Sequence, residues 1–118
     1  MDNRLQILAI VLLTLATAGI HLGLAAAGGF DVLQDPLALP FILNGIGFIG
    51  LLLLYLLTMV SFIHLHNAAR WLLIIFSAVT IIAFFTINPE PLASVFGLIT
   101  KAIEVALIIV LWQSPSSV

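Results

Sequence analysis

The sequence predicts an all-α, polytopic membrane protein: one domain over residues 1–118, built of four antiparallel transmembrane helices in an up-and-down bundle. The first reason is composition, because 64% of the residues are hydrophobic and only 7% are charged, whereas a soluble domain has roughly a quarter charged residues. The second is length, because the four apolar runs of about 19–24 residues match the roughly 20 needed to cross a bilayer core. The third is the position of charge. Six of the eight charged residues lie at the N-terminus or between the runs: Asp2, Arg4, Asp31, Asp35, Arg70 and Glu90.

The first predicted span covers residues 5–27. The three alanines at 25–27 resemble a signal-peptide cleavage site. The run is, however, longer than the roughly 7–15 residues of a signal-peptide core, and His21 interrupts it. We therefore expect a retained transmembrane helix, ended by Gly28 and Gly29.

The second span is predicted over residues 39–62, the third over 69–87 and the fourth over 92–112. Aspartates and a proline in the first loop are turn-forming residues. The strongest stop, between the third and fourth spans, is Asn88-Pro89-Glu90-Pro91, since proline cannot continue a helix. A short polar break separates the second and third spans and contains His64, His66, Asn67 and Arg70. Such short connections favour antiparallel neighbours.

Positive charge predicts the orientation of the bundle. Arg4 and Arg70 fall on one side of the membrane, and the loops on the other side contain no Lys or Arg. Because positive charge in short loops marks the cytoplasmic side, both termini are predicted to be cytoplasmic. Trp71 and Trp112 would then lie at the cytoplasmic interface, where aromatic residues are enriched.

Five polar residues inside the spans form the predicted site. Lys101 and Glu104 lie near mid-membrane in the fourth span, at a rise of about 1.5 Å per residue. His21, Asn44 and Thr80 lie in the outer half in the other three spans. The strongest polar groups of all four helices therefore converge on one half of the bilayer.

Each predicted helix also has one mildly polar stripe, at about 100° per residue. The stripes are expected to face inward, because unpaired polar groups in hydrocarbon cost several kcal/mol, on the order of 2–7 each. Lys101 and Glu104 are three apart and can neutralise one another. The stripe positions are Thr14, Thr17 and His21; Asn44, Leu51, Tyr55 and Thr58; Ser77, Thr80, Phe84 and Asn88; Ser94, Gly97, Lys101 and Glu104.

Two interpretations of this polar cluster compete. It could fasten the helices, but interhelical hydrogen bonds are worth only about 0.6 kcal/mol on average. It could instead be a functional site, which is the default for ionisable groups at this depth. A charged residue at a helix centre costs about 2.5–3.5 kcal/mol even on lenient insertion scales. The functional interpretation is favoured, because Ser, Thr or Asn would fasten helices at lower cost.

Two glycine motifs are predicted to serve packing. Gly45, Gly47 and Gly50 match GxGxxG, but they lie within a span rather than between a strand and a helix, so a nucleotide site is not expected. They would allow close helix packing. Gly19 and Gly23 form GxxxG on the face opposite His21. This face either meets a neighbouring helix of the same bundle or is the interface of a homo-oligomer.

No metal, cofactor or nucleic acid is expected. His64 and His66 lack a third ligand, so a solvated loop is the preferred interpretation there. Among the spans only the first contains a histidine, His21, which disfavours bis-histidine haem. No catalytic constellation is present, so a non-enzymatic protein is expected. The net charge of -2 offers no basic patch for nucleic acid, and the chain contains no cysteine.

The four-span layout resembles small prokaryotic four-helix membrane proteins of unknown function, distantly similar to the DoxX-like families. The resemblance rests on the segments Gly19-Ile20-His21-Leu22, Leu43-Asn44-Gly45-Ile46-Gly47 and Thr100-Lys101-Ala102-Ile103-Glu104. It implies a prokaryotic inner or plasma membrane. DoxX proteins are associated with quinone-linked redox chemistry, and no residue here carries that activity over. The chain is also similar in length to small multidrug transporters, whose functional carboxylate lies in the first helix rather than, like Glu104, in the fourth.

Three functional hypotheses follow. In the leading one, His21, Asn44, Lys101 and Glu104 line a polar pocket that binds a small ligand, a lipid headgroup or a partner subunit. In the second, the protein is a dimeric, proton-coupled carrier of a small solute in which Glu104 changes protonation state. In the third, it is an accessory subunit of a larger membrane complex, and the polar cluster is structural.

Overall fold

Four long α-helices make up the fold, and the computed structural model describes residues 3–31, 33–34, 38–87 and 95–114. The helices are α1 (Asn3–Ala27), α2 (Ala38–Val60), α3 (His66–Ile87) and α4 (Val95–Gln113), with a 3₁₀ turn at Ile63–Leu65 before α3. All four are long and apolar enough to cross a membrane. The predicted all-helical architecture with four apolar helices is confirmed.

The backbone at two helix ends explains where the helices stop. Gly29 has φ 76°, and the amides of Gly29 and Phe30 donate to the carbonyls of Ala26 and Ala25 at 2.9 Å. This is the Schellman arrangement, which favours glycine at the left-handed position. α2 ends at Val60 rather than 62 because Phe62 has φ 56°, a left-handed conformation that a right-handed helix cannot contain.

The other two helices differ from the predicted spans in a simpler way. α3 begins at His66 rather than 69, so His66, Asn67 and Arg70 of the predicted break belong to its first turns, while His64 lies in the preceding 3₁₀ turn. α4 is described from Val95. The predicted stop at 88–91 and the start of the fourth span at 92–94 lie outside the described residues.

Each helix packs against two others: α1 and α3 each contact both α2 and α4. Apolar side chains from all four helices fill the centre, and Phe48 meets Phe76 edge to face at 4.8 Å between ring centroids. The fully or nearly buried members of this core are Ile10, Ala18, Phe48, Leu52, Tyr55, Leu73, Ile74, Leu107 and Leu111.

The polar stripes face the interior, as the sequence predicts. Three other stripe residues, Asn44, Leu51 and Phe84, are half-buried. Asn88 and Ser94 lie outside the described residues. Most buried hydroxyls donate to a carbonyl of their own helix, which satisfies them without a partner helix. The buried stripe residues are Thr14, Thr17, His21, Tyr55, Thr58, Ser77, Thr80, Gly97, Lys101 and Glu104.

Two of the three glycines in the GxGxxG motif mark close helix approaches. A Cβ at Gly45 would overlap Leu22 and lie 3.2 Å from the carbonyl oxygen of Ala18. A Cβ at Gly47 would overlap the ring of Phe76. At Gly50 a Cβ would meet nothing within 4 Å. The predicted packing role is therefore confirmed at the first two positions and not at the third.

Candidate functional site

Glu104 is the centre of the candidate site. It is fully buried, at 0% exposure, and both of its carboxylate oxygens accept hydrogen bonds. Lys101 donates from Nζ to Oε1 at 2.7 Å. Thr17 of α1 donates from its hydroxyl to Oε2 at 2.7 Å. Distances this short are typical of an ionised acceptor. The carboxylate thus joins α1 to α4 inside the bundle.

His21, one turn after Thr17 on α1, faces the same carboxylate. Its Nδ1 lies 2.8 Å from the backbone oxygen of Thr17, and a carbonyl can only accept, so Nδ1 carries hydrogen. In the neutral ring, Nε2 is then an acceptor. That Nε2 lies 3.9 Å from Oε2 of Glu104, beyond the range of about 2.7–3.2 Å for a hydrogen bond. The rings of Phe41 and Phe48 flank the imidazole, at 6.0 and 6.3 Å between centroids.

Lys101 is also almost entirely buried, with 7% of its side chain exposed. The ring of Phe84 on α3 lies 5.3 Å from Nζ, within the distance of a cation–π contact. A lysine ammonium has three N–H donors. Within the described residues, Glu104 is the one hydrogen-bond acceptor that Lys101 contacts, so two donors remain. We refer to Thr17, His21, Lys101 and Glu104 as the Glu104 cluster.

Two residues of the sequence-predicted site do not contact this cluster. The hydroxyl of Thr80 donates to the carbonyl of Phe76 at 2.6 Å and approaches that of Ser77 at 3.2 Å, so it is satisfied on α3. Asn44 is half-buried on α2 and makes no hydrogen bond within the part of the chain that the structure describes. Three of the five predicted residues therefore come together: His21, Lys101 and Glu104.

Thr17 belongs to the site although it is not among the five residues predicted from the sequence. It stands on the predicted stripe of α1, four residues before His21, but a threonine inside an apolar helix usually bonds its own backbone. The useful signal was the spacing, because residues four apart share one helix face. A hydroxyl next to an inward-facing histidine was therefore in position to meet a charge on the neighbouring helix.

The GxxxG face of α1 lies on the outside of the bundle. Gly19 and Gly23 are both exposed, and a Cβ at either position would meet nothing within 4 Å. In this chain they are therefore not wedged against a neighbouring helix. Association of two chains through this face stays a prediction.

A second polar group lies near the beginning of α3 and corrects the expected solvated loop there. Arg70 is only 8% exposed. Its Nε donates to the carbonyl oxygen of Leu111 at 2.7 Å, and its two terminal nitrogens donate to Trp112 O and Asn67 Oδ1, each at 3.0 Å. Arg70 therefore caps two of the last carbonyls of α4, of which Leu111 O also accepts from the hydroxyl of Ser114 at 2.9 Å.

His66 is also buried rather than solvated, at 0% exposure, whereas His64 is exposed as expected. Nδ1 of His66 lies 3.0 Å from the hydroxyl of Thr58, and the ring of Tyr55 is 4.6 Å away between centroids. The sequence does not predict this burial, because a histidine at the start of a helix can be buried or exposed to solvent.

Among the described residues, no group of three His, Asp or Glu side chains is placed to hold a metal ion. The Glu104 cluster contains an ammonium with two further N–H donors, a carboxylate and an imidazole nitrogen that can accept a hydrogen bond. No protein-family model, curated protein or solved structure matches the chain.

Proposed function

We propose that this chain is a non-enzymatic integral membrane protein of four antiparallel spans, with both termini cytoplasmic. In this proposal the Glu104 cluster lies in the outer half of the bilayer and binds a small monovalent anionic group at Lys101. The group is either a free oxyanion or the headgroup of an anionic lipid, since both present the same charge and acceptor oxygens.

The apolar exterior supports insertion into a bilayer. Large aliphatic and aromatic side chains are exposed on all four helices; Ile46, Leu53 and Ile82, for example, are 59%, 61% and 62% exposed. Contiguous apolar surface of this extent is rare on soluble monomers. Helices that satisfy their own backbone can contact hydrocarbon without leaving polar groups unpaired.

The buried ion pair is the observation that carries the proposed site. A charged residue at a helix centre costs about 2.5–3.5 kcal/mol on insertion scales, and ionisable groups at this depth mark ligand or ion pathways. The cluster holds two such residues, Lys101 and Glu104, next to the ionisable His21. Joining α1 to α4 requires much less, because the hydroxyl of Thr17 alone could bond a neutral partner.

Lys101 is the group of the cluster best suited to an anion. Its ammonium has two N–H donors beyond the one given to Glu104, and Lys101 is the most exposed member of the cluster, with 6% of the residue exposed against 4% for His21 and 0% for Thr17 and Glu104. An anion approaching beside Phe84 would meet those donors in surroundings with little water, where charge-assisted hydrogen bonds are strong.

Binding to purified protein in nanodiscs at pH 6 tests the proposal, and two arms distinguish the two sources of the anion. In the first, nitrate is titrated calorimetrically onto protein in phosphatidylcholine nanodiscs. In the second, nanodiscs contain phosphatidylglycerol as well, and native mass spectrometry counts the lipids retained. We expect saturable binding in one arm or in both. Binding in neither arm overturns the proposal.

Two variants locate the bound anion. The double variant Lys101→Met with Glu104→Gln removes both charges while keeping side-chain size, and it should lose binding in whichever arm is positive. Thr14→Val is the matched control: Thr14 is fully buried on α1, and its hydroxyl has no hydrogen-bond partner among the described residues. It should bind like the wild type. Undiminished binding in the double variant would place the anion elsewhere and make the cluster structural.

A further inference from the structure

The contact between His21 and Glu104 has two acceptors facing one another. Nδ1 of His21 donates to a carbonyl, so Nε2 of the neutral ring presents a lone pair. Oε2 of Glu104 presents lone pairs as well. The two atoms lie 3.9 Å apart, too far for a hydrogen bond and close enough for one after a small movement. One added proton between Nε2 and Oε2 would turn this contact between two acceptors into a hydrogen bond.

Few other charges act on this pair. From α4, Lys101 contacts the opposite carboxylate oxygen, Oε1. From α1, Thr17 donates to Oε2. From α2, the phenyl rings of Phe41 and Phe48 lie beside the imidazole. Within the described residues that contact the pair, Lys101 is therefore the one other titratable group.

One added proton changes the charge of the cluster in the same way wherever it is bound. Without it, Lys101 is positive, Glu104 negative and His21 neutral, so the sum is zero. A proton on Oε2 leaves Lys101 as the single charge, and a proton on Nε2 adds a second positive charge. Either placement gives a sum of +1. A net charge enclosed among helices is strongly unfavourable without a counter-ion, and a bound monovalent anion restores neutrality.

We propose that the Glu104 cluster takes up one proton between His21 Nε2 and Glu104 Oε2 for each monovalent anion that it binds at Lys101. This coupling rests on the proposed function, because it requires the anion site. The proton is transferred from hydronium or a buffer acid, whose O–H or N–H bond breaks as the new O–H or N–H bond forms in the cluster, and no other bond is made or broken. Uptake is electroneutral, because the positive charge of the proton balances the negative charge of the anion; where the proton is on Oε2, the anion replaces the carboxylate as the charged partner of Lys101.

Calorimetry of nitrate binding to the wild type in phosphatidylcholine nanodiscs tests the coupling, because nitrate does not titrate between pH 5.5 and 7.5. By linkage, the apparent affinity should fall about ten-fold for each pH unit of increase in the range where the cluster is deprotonated. Titrations in two buffers with different ionisation enthalpies should show about one proton taken up per nitrate. Where the lipid is the ligand, phosphatidylglycerol retention should decrease with pH in the same direction.

The variants separate the possible failures. Glu104→Gln resembles the protonated carboxyl and cannot take up the proton at this position, so nitrate binding to this variant should lose the pH dependence of the wild type. Thr14→Val should keep the wild-type pH dependence. Binding with no proton uptake and no pH dependence in the wild type would refute the coupling and leave the anion site standing. Absence of binding at every pH and in both lipid compositions would overturn both proposals.

Discussion

Replacing one residue of the Lys101–Glu104 ion pair should lower the stability of the protein far more than replacing both. Lys101→Met leaves the carboxylate of Glu104, which is 0% exposed, with the hydroxyl of Thr17 as its remaining donor. Removing one partner of a buried pair destabilises proteins by about 3–5 kcal/mol, because an uncompensated charge stays behind. Glu104→Gln strands the ammonium instead, and we expect a smaller loss of about 2–3 kcal/mol, because the lysine chain can move its charge towards the interface.

The double variant should be nearly as stable as the wild type. Replacing a whole buried ion pair by neutral residues of similar volume is often neutral or stabilising, and the amide oxygen of a glutamine at 104 can still accept from Thr17. The two single losses sum to about 5–8 kcal/mol, so with a loss of about 0–1 kcal/mol for the double variant the coupling between the two positions is about 4–8 kcal/mol.

Unfolding equilibria in mixed micelles of dodecyl sulfate and a mild detergent would measure this coupling. Trp71 and Trp112 supply the signal, because their rings meet at 5.4 Å between α3 and α4. A coupling energy below about 0.5 kcal/mol, which is typical of solvent-exposed ion pairs, would refute the inference that this pair is enclosed.

Three further outcomes are expected, each measurable by the same unfolding assay. Thr17→Val removes a donor to a buried carboxylate and should lower the free energy of unfolding by about 1.5–3 kcal/mol. Thr14→Val loses no hydrogen bond to the described residues and should lower it by under about 0.5 kcal/mol. Equal effects of the two variants would contradict the hydrogen bond between Thr17 and Glu104. Gly45→Ala should cost about 1–3 kcal/mol, because the new methyl group would lie 3.2 Å from a carbonyl oxygen of α1, whereas Gly50→Ala has open space and should be neutral or stabilising. Arg70→Met should cost about 2–4 kcal/mol through three lost hydrogen bonds of a charged donor and should speed amide hydrogen exchange in the last turn of α4; unchanged exchange there would count against the capping role.

The sequence predicted the helices well because their signal is strong and local. Runs of apolar residues long enough to span a bilayer are hard to mistake, and the Lys101–Glu104 pair follows from spacing on a single helix. The same local logic predicted that the first helix ends at Gly28 and Gly29. These features depend on neighbours within one or two helical turns.

Contacts between helices were harder to predict because they depend on rotation. Apolar residues surround each helix almost uniformly, so a stripe of polar residues fixes its rotation only loosely. The predicted depths of Asn44 and Thr80 matched that of His21, but Thr80 bonds carbonyls of its own helix, and Asn44 makes no hydrogen bond to Glu104. Arg70 was predicted to lie in a solvated loop, because the sequence around a charged residue next to a loop does not show that the end of another helix packs against it.

The separation along the chain between the two sides of these contacts bears on how the protein is made. Thr17 and Glu104 are 87 positions apart, and Arg70 donates to carbonyls more than 40 positions further along the chain. During synthesis, the hydroxyl of Thr17 and two nitrogens of the Arg70 guanidinium are therefore made before the acceptors that they bond on α4. α4 supplies these acceptors together when it packs against α1 and α3. A chain stopped after Ile87 should consequently be less stable than the four-helix bundle, because these donors would lack their acceptors.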